Sequence, residues 1–108
     1  TGKVTVEERG AGCVRFCALP FASVTPQQYR CVAFKNSDAP AFASVHYGRP
    51  HYAQLLRATP AAIREGAADG SEMGAYRHLA YPQREANLRL RLAEYLPFGL
   101  VADLIFVT

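Results

Sequence analysis

The stretch that decides the expected fold lies in the C-terminal third of the chain and reads EANLRLRL, residues 85–92. Three leucines at even positions alternate with two arginines at odd positions, so an extended chain would place them on opposite sides. Strict alternation of this kind is typical of an antiparallel strand that buries one side and exposes the other to water. The pattern therefore predicts a half-buried strand.

A turn is predicted directly after this strand, at Pro97-Phe98-Gly99. Proline presets the first turn residue, and glycine suits the left-handed position of a three-residue hairpin loop. Residues 100–108 are then expected to return as the partner strand, and the loop length fixes the pairing of the two strands. This register assigns to the core Leu88, Leu90, Leu92, Leu104 and Phe106.

The opposite side of the predicted hairpin combines apolar residues with arginine and tyrosine. Its members are Arg89, Arg91, Tyr95, Val101, Ile105 and Val107. Left in water, these residues would form an exposed apolar patch, so something is expected to cover it. The sequence leaves two covers open, the 51–70 segment of the same chain or a neighbouring subunit. We predict a protein-contact surface here, because this composition is enriched at protein interfaces.

Short segments of strand character recur in the rest of the chain, with turn signals between them. With the hairpin they make seven predicted strands, Lys3–Glu8, Cys13–Leu19, Gln28–Lys35, Phe42–Tyr47, Ala75–Tyr81, Glu85–Leu92 and 100–108. One short helix is predicted near Pro60 to Glu65, with Thr59 as a candidate N-cap. The sequence thus predicts an all-β fold, one antiparallel β-sandwich or jelly-roll-like domain over residues 1–108 with at most that one helix.

The charge and hydropathy of the chain argue against nucleic acid and a membrane as partners. The formal net charge is +3, with ten arginines and two lysines scattered among the acids, which is a poor nucleic-acid signature. An arginine bias is favoured at protein contacts, and it also follows from a high-GC genome. No apolar stretch approaches the roughly 20 residues that cross a bilayer, so no membrane partner is expected. Residues 1–12 are polar and glycine-rich, so no signal peptide is expected within them; Thr1 could follow a removed Met or a cleaved leader, and export is left undecided.

Catalytic, cofactor and metal motifs were sought and not found, so the sequence predicts no enzyme and no cofactor. The three histidines lack a cysteine or carboxylate at the complementary spacing, and no metal site is predicted. Cys13, Cys17 and Cys31 are an odd number, which is typical of thiols in a reducing compartment. A Cys17–Cys31 bridge across neighbouring strands is left open.

A short stretch resembles a known family. Residues 28–38, QYRCVAFKNSD, followed by residues 43–47, ASVHY, are similar to a pattern in small β-sandwich proteins of tailed bacteriophages. Residues 96–103, LPFGLVAD, resemble instead the last hairpin of pilin-like immunoglobulin-type domains. Both resemblances imply antiparallel sandwiches whose role is assembly. They supply no functional residues for this chain.

The expected function is therefore a non-enzymatic structural protein, a virion component such as a capsid decoration, collar or tail subunit. Its expected partners are copies of itself, as an oligomer, or a larger protein shell. The alternative is a carbohydrate- or peptide-binding module that uses Tyr47, Arg49, Tyr52 and the 66–74 loop. That loop is rich in glycine and is expected to be exposed and mobile, or ordered by a partner. Tyr76 and Tyr81, with Arg77 beside them, are further candidates for lining a ligand groove, although such residues are more often core edges or protein-contact anchors.

Overall fold

The computed structural model describes residues 2–105 and differs from the predicted sandwich in the number and kind of its elements. The strands are β1 Cys13–Arg15, β2 Ala18–Pro20, β3 Gln27–Tyr29 and β4 Val32–Phe34, and the helices are α1 Ala61–Arg64 and α2 Tyr81–Tyr95. Single 3-10 turns occupy Asn36–Asp38 and Arg77–Leu79. The strands form two parallel pairs. The prediction of about seven antiparallel strands in an all-β sandwich or jelly roll is therefore wrong.

The two strand pairs share one register. Cys13 pairs with Gln27 in the β1–β3 ladder, and Pro20 pairs with Phe34 in the β2–β4 ladder, so both ladders have an offset of 14 residues. Two consecutive stretches of chain therefore lie side by side and run in the same direction. This arrangement stacks Cys17 beside Cys31, and all three cysteines are free thiols.

A kink divides each of these stretches into two short strands. Phe16 lies between β1 and β2 with a φ of 50°, and Arg30 lies between β3 and β4 with the same φ. Residues with side chains rarely adopt this left-handed conformation, and it turns the chain out of a straight strand. The predicted strands Cys13–Leu19 and Gln28–Lys35 are thus each interrupted at the same relative position.

The other predicted strands in the first 81 residues are replaced by isolated bridges and turns. Lys3–Glu8 contributes one parallel bridge, Thr5 to Val24, and Phe42–Tyr47 contributes two bridges to residues 52 and 55. The Ala75–Tyr81 segment contains a 3-10 turn and the start of α2 in place of a strand.

Helix α2 replaces the strand predicted at Glu85–Leu92, and its composition explains why. Its sequence, YPQREANLRLRLAEY, contains no β-branched residue and is rich in leucine, arginine, glutamate and alanine, which favour helices. Pro82 lies in the first turn, where proline is tolerated, and Pro97 restricts the preceding Leu96 to the extended conformation in which the helix ends. Glu85 also accepts a hydrogen bond from Arg89 one turn later.

The residues that the predicted hairpin assigned to the core do not form a buried core, because the strand at Glu85–Leu92 is replaced by a helix. Leu90 is 62% exposed and Leu88 is also exposed, while Leu92 and Leu104 are half-buried. Phe106 lies outside the described residues. The turn at Pro97-Phe98-Gly99 does form, because Leu100 N donates to Pro97 O over 3.1 Å and Gly99 has a φ of 85°. It connects the end of a helix to an extended segment, however, and no strand partner is present in residues 100–105.

The buried centre of the molecule, defined here as residues 59–73, surrounds α1. Ile63 is 1% exposed, and Met73 N donates to Ile63 O over 2.9 Å. The helix predicted near Pro60 is confirmed, but Thr59 does not cap it. The Thr59 hydroxyl instead donates to Ala41 O and accepts from Ala41 N, at 3.1 and 3.0 Å. The 66–74 loop, expected to be exposed, contributes buried residues to this centre, Ala67, Ser71, Glu72 and Met73.

The molecule is elongated and leaves much of its surface open. Its radius of gyration is 17.0 Å and its longest extent is 59 Å, whereas a compact domain of this length has a radius of about 13 Å. Its accessible surface is 8119 Å², against about 5,900 Å² for a compact monomer of the same mass. The excess means that much apolar surface is uncovered in the isolated chain.

Candidate functional site

Seven of the twelve large apolar residues that are exposed in the described part of the chain lie in the C-terminal arm, defined here as residues 88–105. Val101 is 93% exposed and Ile105 is 89% exposed, although both are apolar. The other large exposed residues of the arm are Leu88, Leu90, Tyr95, Phe98 and Leu100. Since these residues lie close together in sequence and none is covered, the arm is a candidate contact surface.

The base of the arm is held by the first half of α2. Gln83 Nε2 donates to Asp69 O over 2.9 Å, which ties the helix to the buried centre. Glu85 Oε1 accepts from Arg57 Nη1 at 2.7 Å. The hydrogen bonds from Arg57 and Arg89 lower the pKa of Glu85, with burial opposing them. These contacts fix where the helix starts and leave its second half to project outward.

A groove runs between the second half of α2 and the segment that returns after the turn. Arg89, Leu92 and Leu96 line its helical side, while Val101 and Leu104 line the other. The groove encloses about 520 Å³ and is mostly apolar. Among the residues that the structure describes, the half-buried leucines Leu92, Leu96 and Leu104 line this groove, and the outer surfaces of both segments stay exposed.

The predicted contact residues are exposed where the structure describes them, but they do not share one sheet face. Arg91 and Tyr95 are four residues apart and lie on one side of α2, whereas Arg89 faces the groove. Val101 and Ile105 lie beyond the turn, and Val107 lies outside the described residues. The 51–70 segment does not cover Val101 or Ile105, so that proposed cover is wrong.

A second candidate site is the tyrosine groove, defined by the side chains of Tyr47, Tyr52, Tyr76 and Tyr81. Arg49 and Gln54 also line it, together with Gly48, Pro50 and Leu79. The rings of Tyr47 and Tyr52 are 5.5 Å apart and nearly perpendicular, which is a favourable edge-to-face arrangement. The groove encloses about 330 Å³. The four tyrosines and Arg49, which the sequence offered together as groove candidates, are therefore brought together, whereas Arg77 does not line the groove.

Backbone hydrogen bonds shape the loop that carries the first two of these tyrosines. Tyr52 N donates to Arg49 O over 3.0 Å, and Ala53 N donates to Ser44 O over 2.8 Å. Gly48 adopts a φ of 89°, which glycine reaches without steric cost. The 66–74 loop does not line this groove, so the predicted combination of that loop with Tyr47, Arg49 and Tyr52 is not found.

Two titratable groups elsewhere have shifted pKa values because they are buried. Burial raises the pKa of Glu72, and attraction to His78 opposes the shift. Burial also raises the pKa of the Cys17 thiol, and the neighbouring Cys31 adds to the effect. Neither group has a partner arrangement that resembles a nucleophile and base pair.

Within residues 2–105, no three histidine, cysteine or carboxylate side chains gather closely enough to hold a metal ion. The helices in this part of the chain are all too short or too polar to cross a membrane. Comparison with protein-family models, curated proteins and solved structures finds no match to this chain. The two candidate surfaces are therefore interpreted from their own geometry.

The sequence signals for the two surfaces differ in quality. The sequence predicted a contact surface here on the outer face of a hairpin. The structure instead places these exposed residues on a helix and on the segment that follows it. The sequence offered the tyrosines as groove residues beside the interpretation as core edges or protein contacts, and the position of the loop that carries Tyr47 and Tyr52 depends on the bridges between residues 42–44 and 52–55. Leu79 and Gln54 carry no sequence signal that marks them as groove residues.

Proposed function

We propose that this chain is a non-enzymatic assembly subunit that acts through protein–protein contacts made by its C-terminal arm. The observation that carries the proposal is the exposure of the arm's large apolar residues on a helix and a returning segment. Monomeric proteins rarely expose large apolar patches, so seven exposed apolar side chains within eighteen residues favour a contact surface. A partner that covers the arm would remove these side chains from water.

The chain as a whole exposes surplus surface. It exposes about 2,200 Å² more than a compact monomer of its mass, by comparison of 8119 Å² with about 5,900 Å². A standard interface buries about 800 Å² on each partner. The surplus of the whole chain is therefore large enough to include one such face.

The side chains of the arm are of the types that anchor interfaces. Tyr95 and Phe98 are exposed aromatic residues, and Arg91 lies one helical turn from Tyr95. Aromatic residues and arginine are enriched among the residues that contribute most binding energy. Arg89 is already hydrogen-bonded to Glu85, so it is better suited to a position at the edge of the contact.

The proposed partners are further copies of this chain or a larger protein shell. The resemblance of residues 28–47 to phage proteins favours a virion as the assembly. This assignment stays a prediction based on that resemblance. The exposure of the arm favours a protein contact whether or not the assembly is a virion. No role for nucleic acid or a membrane is part of the proposal.

Sedimentation velocity over a concentration series tests the proposal. We expect the wild-type chain to sediment with an average mass that rises above the 11.8 kDa monomer as concentration increases. The double variant Phe98→Asp/Val101→Asp should stay monomeric, because two charges would have to be buried in the contact. Val45→Asp is the matched control, because Val45 is also apolar and 71% exposed but lies outside the arm.

A wild-type monomer at every concentration would restrict the proposal to a heterologous shell. Equal association of the wild type and the Phe98→Asp/Val101→Asp variant would contradict the proposal. Loss of association in Val45→Asp would move the contact surface to the loop around residue 45.

A second function, ligand binding, is favoured by the convergence of four tyrosines in the tyrosine groove. The groove shares no lining residue with the groove of the arm. Peptide or carbohydrate binding at the tyrosine groove is therefore compatible with assembly through the arm.

A further inference from the structure

The chemistry of the tyrosine groove distinguishes between the two ligand classes. Its polar side chains are the hydroxyls of four tyrosines, the guanidinium of Arg49 and the amide of Gln54. No aspartate or glutamate is among the residues that line it. The groove is therefore rich in hydrogen-bond donors and aromatic surface, and it carries no carboxylate acceptor.

We propose that the tyrosine groove binds a proline-rich peptide segment in the polyproline II conformation. This inference deepens the second function proposed above and is independent of the arm. A polyproline II helix makes no internal hydrogen bonds, so its carbonyl groups point outward as acceptors. Proline has no N–H group, so such a segment offers acceptors and apolar rings but almost no donors. Donors and aromatic rings are what the groove provides.

A carbohydrate fits this set of side chains less well. Every sugar hydroxyl both donates and accepts hydrogen bonds, so burying it requires acceptors as well as donors. Side-chain acceptors in the groove are limited to neutral oxygens, with no carboxylate among them. The balance of donors over acceptors thus favours the peptide.

The aromatic lining of the groove also suits a proline-rich ligand. Tyr47 and Tyr52 contact each other edge to face at 5.5 Å, and Tyr76 and Tyr81 line the same groove. Aromatic-lined grooves hold proline-rich segments in known modes of polyproline recognition. Proline rings stack on such aromatic surface while the carbonyl groups of the peptide stay free to accept hydrogen bonds.

Neither the loop of the groove nor the peptide needs much conformational ordering before they bind. The hydrogen bonds from Tyr52 N to Arg49 O and from Ala53 N to Ser44 O hold the loop in place. A polyproline segment is also stiff when free. Because neither side loses much conformational freedom, a small number of contacts can give measurable affinity.

The test is a titration of the ¹⁵N-labelled chain with acetylated, amidated decaproline, followed by amide chemical shifts. We expect shifts confined to residues 45–54 and 76–81, with a Kd of about 1 mM or lower. Tyr47→Ala should weaken binding at least tenfold. Because Tyr47 is 92% exposed, this variant should keep its fold. Tyr95→Ala is the matched control, since Tyr95 is exposed but lies on the arm, and it should bind like the wild type.

Three outcomes would overturn the inference. They are no shift at a decaproline concentration of about 5 mM, equal binding by wild type and Tyr47→Ala, or shifts at the groove with maltohexaose and none with decaproline. The last outcome would keep the site and assign it to carbohydrate. Each of them leaves the assembly proposal intact, because sedimentation of the Tyr47→Ala variant reports on the arm separately.

Discussion

Ile63 and Ile105 are the same residue type in two regions of one chain, and they have opposite environments. Ile63 lies in the buried centre at 1% exposure, whereas Ile105 lies in the C-terminal arm at 89% exposure. The centre covers its apolar residues by folding residues 66–73 back over α1. The arm has only its own helix and returning segment to pack on. The centre thus covers its apolar residues within the chain, whereas the cover of the arm is, in our proposal, supplied by a partner.

The largest expected effect comes from truncating the isoleucine in the centre. Ile63→Ala should lower the free energy of unfolding by about 2–5 kcal/mol, because it leaves a cavity among buried residues. Ile105→Ala should leave the stability of the monomer nearly unchanged. Chemical denaturation of both variants at low protein concentration is the measurement. Equal losses of stability in the two variants would contradict the difference between the two environments and place Ile105 in a core.

A smaller loss of stability is expected from a methyl group added at Gly66. A Cβ there would overlap Ala62 O and Met73 Cε, and the first of these is a backbone atom that cannot easily move. Gly66→Ala should therefore destabilise the chain by about 1–3 kcal/mol. Gly10→Ala is the control, because no atom lies within 4 Å of the added Cβ. Thermal unfolding that gives the same midpoint for both variants would show that the centre is loosely packed.

Removal of the Thr59 hydroxyl should lower the free energy of unfolding by a similar or smaller amount. Thr59→Val keeps the shape of the side chain but removes both hydrogen bonds to the backbone of Ala41. Since Ala41 N would be left without this partner in a part-buried position, we expect a loss of about 1–2 kcal/mol. Urea denaturation of the variant measures it. A stability equal to that of the wild type would mean that water replaces the hydroxyl.

These predictions concern residues whose role the sequence shows only in part. The position of α1, the turn at residues 97–99 and the tyrosines of the groove were predictable, because proline, glycine and aromatic residues carry strong local signals. The kinks at Phe16 and Arg30 were not, since nothing in a non-glycine residue marks a left-handed conformation. Without these kinks, the sequence suggested long antiparallel strands.

The error over residues 85–92 has a definite physical cause. Leucine and arginine alternate over only five residues, whereas helix-forming residues extend over fifteen. In water, a helix satisfies its own backbone hydrogen bonds, while a strand needs a neighbour. With no neighbouring strand in the described residues, the helix formers of α2 determine the conformation. Exposure of Leu90 follows from this change of element.

The smallest stability effect is expected from the charge at Glu72. Burial raises the pKa of this carboxyl above its usual 4.5, so its ionised form is less favoured in the folded chain than in the unfolded chain. The stability of the wild type should therefore fall as pH rises from 4.5 to the raised pKa, and then become constant. Glu72→Gln should remove this dependence and be slightly more stable at neutral pH. Denaturation at pH 4 and pH 7 measures the difference, and a variant less stable than the wild type at pH 7 would reveal an ionic partner for Glu72.

Hydrogen exchange measured at two protein concentrations tests the central claim, that the arm is completed by a partner, most directly. At low concentration the amides of Arg89 to Tyr95 should exchange far faster than those of the buried centre, because an uncovered helix end opens readily. At high concentration the same amides should become protected, while exchange in the centre stays the same. Protection of residues 89–95 that is already complete at low concentration would contradict the account, because the arm would then be stable without any partner.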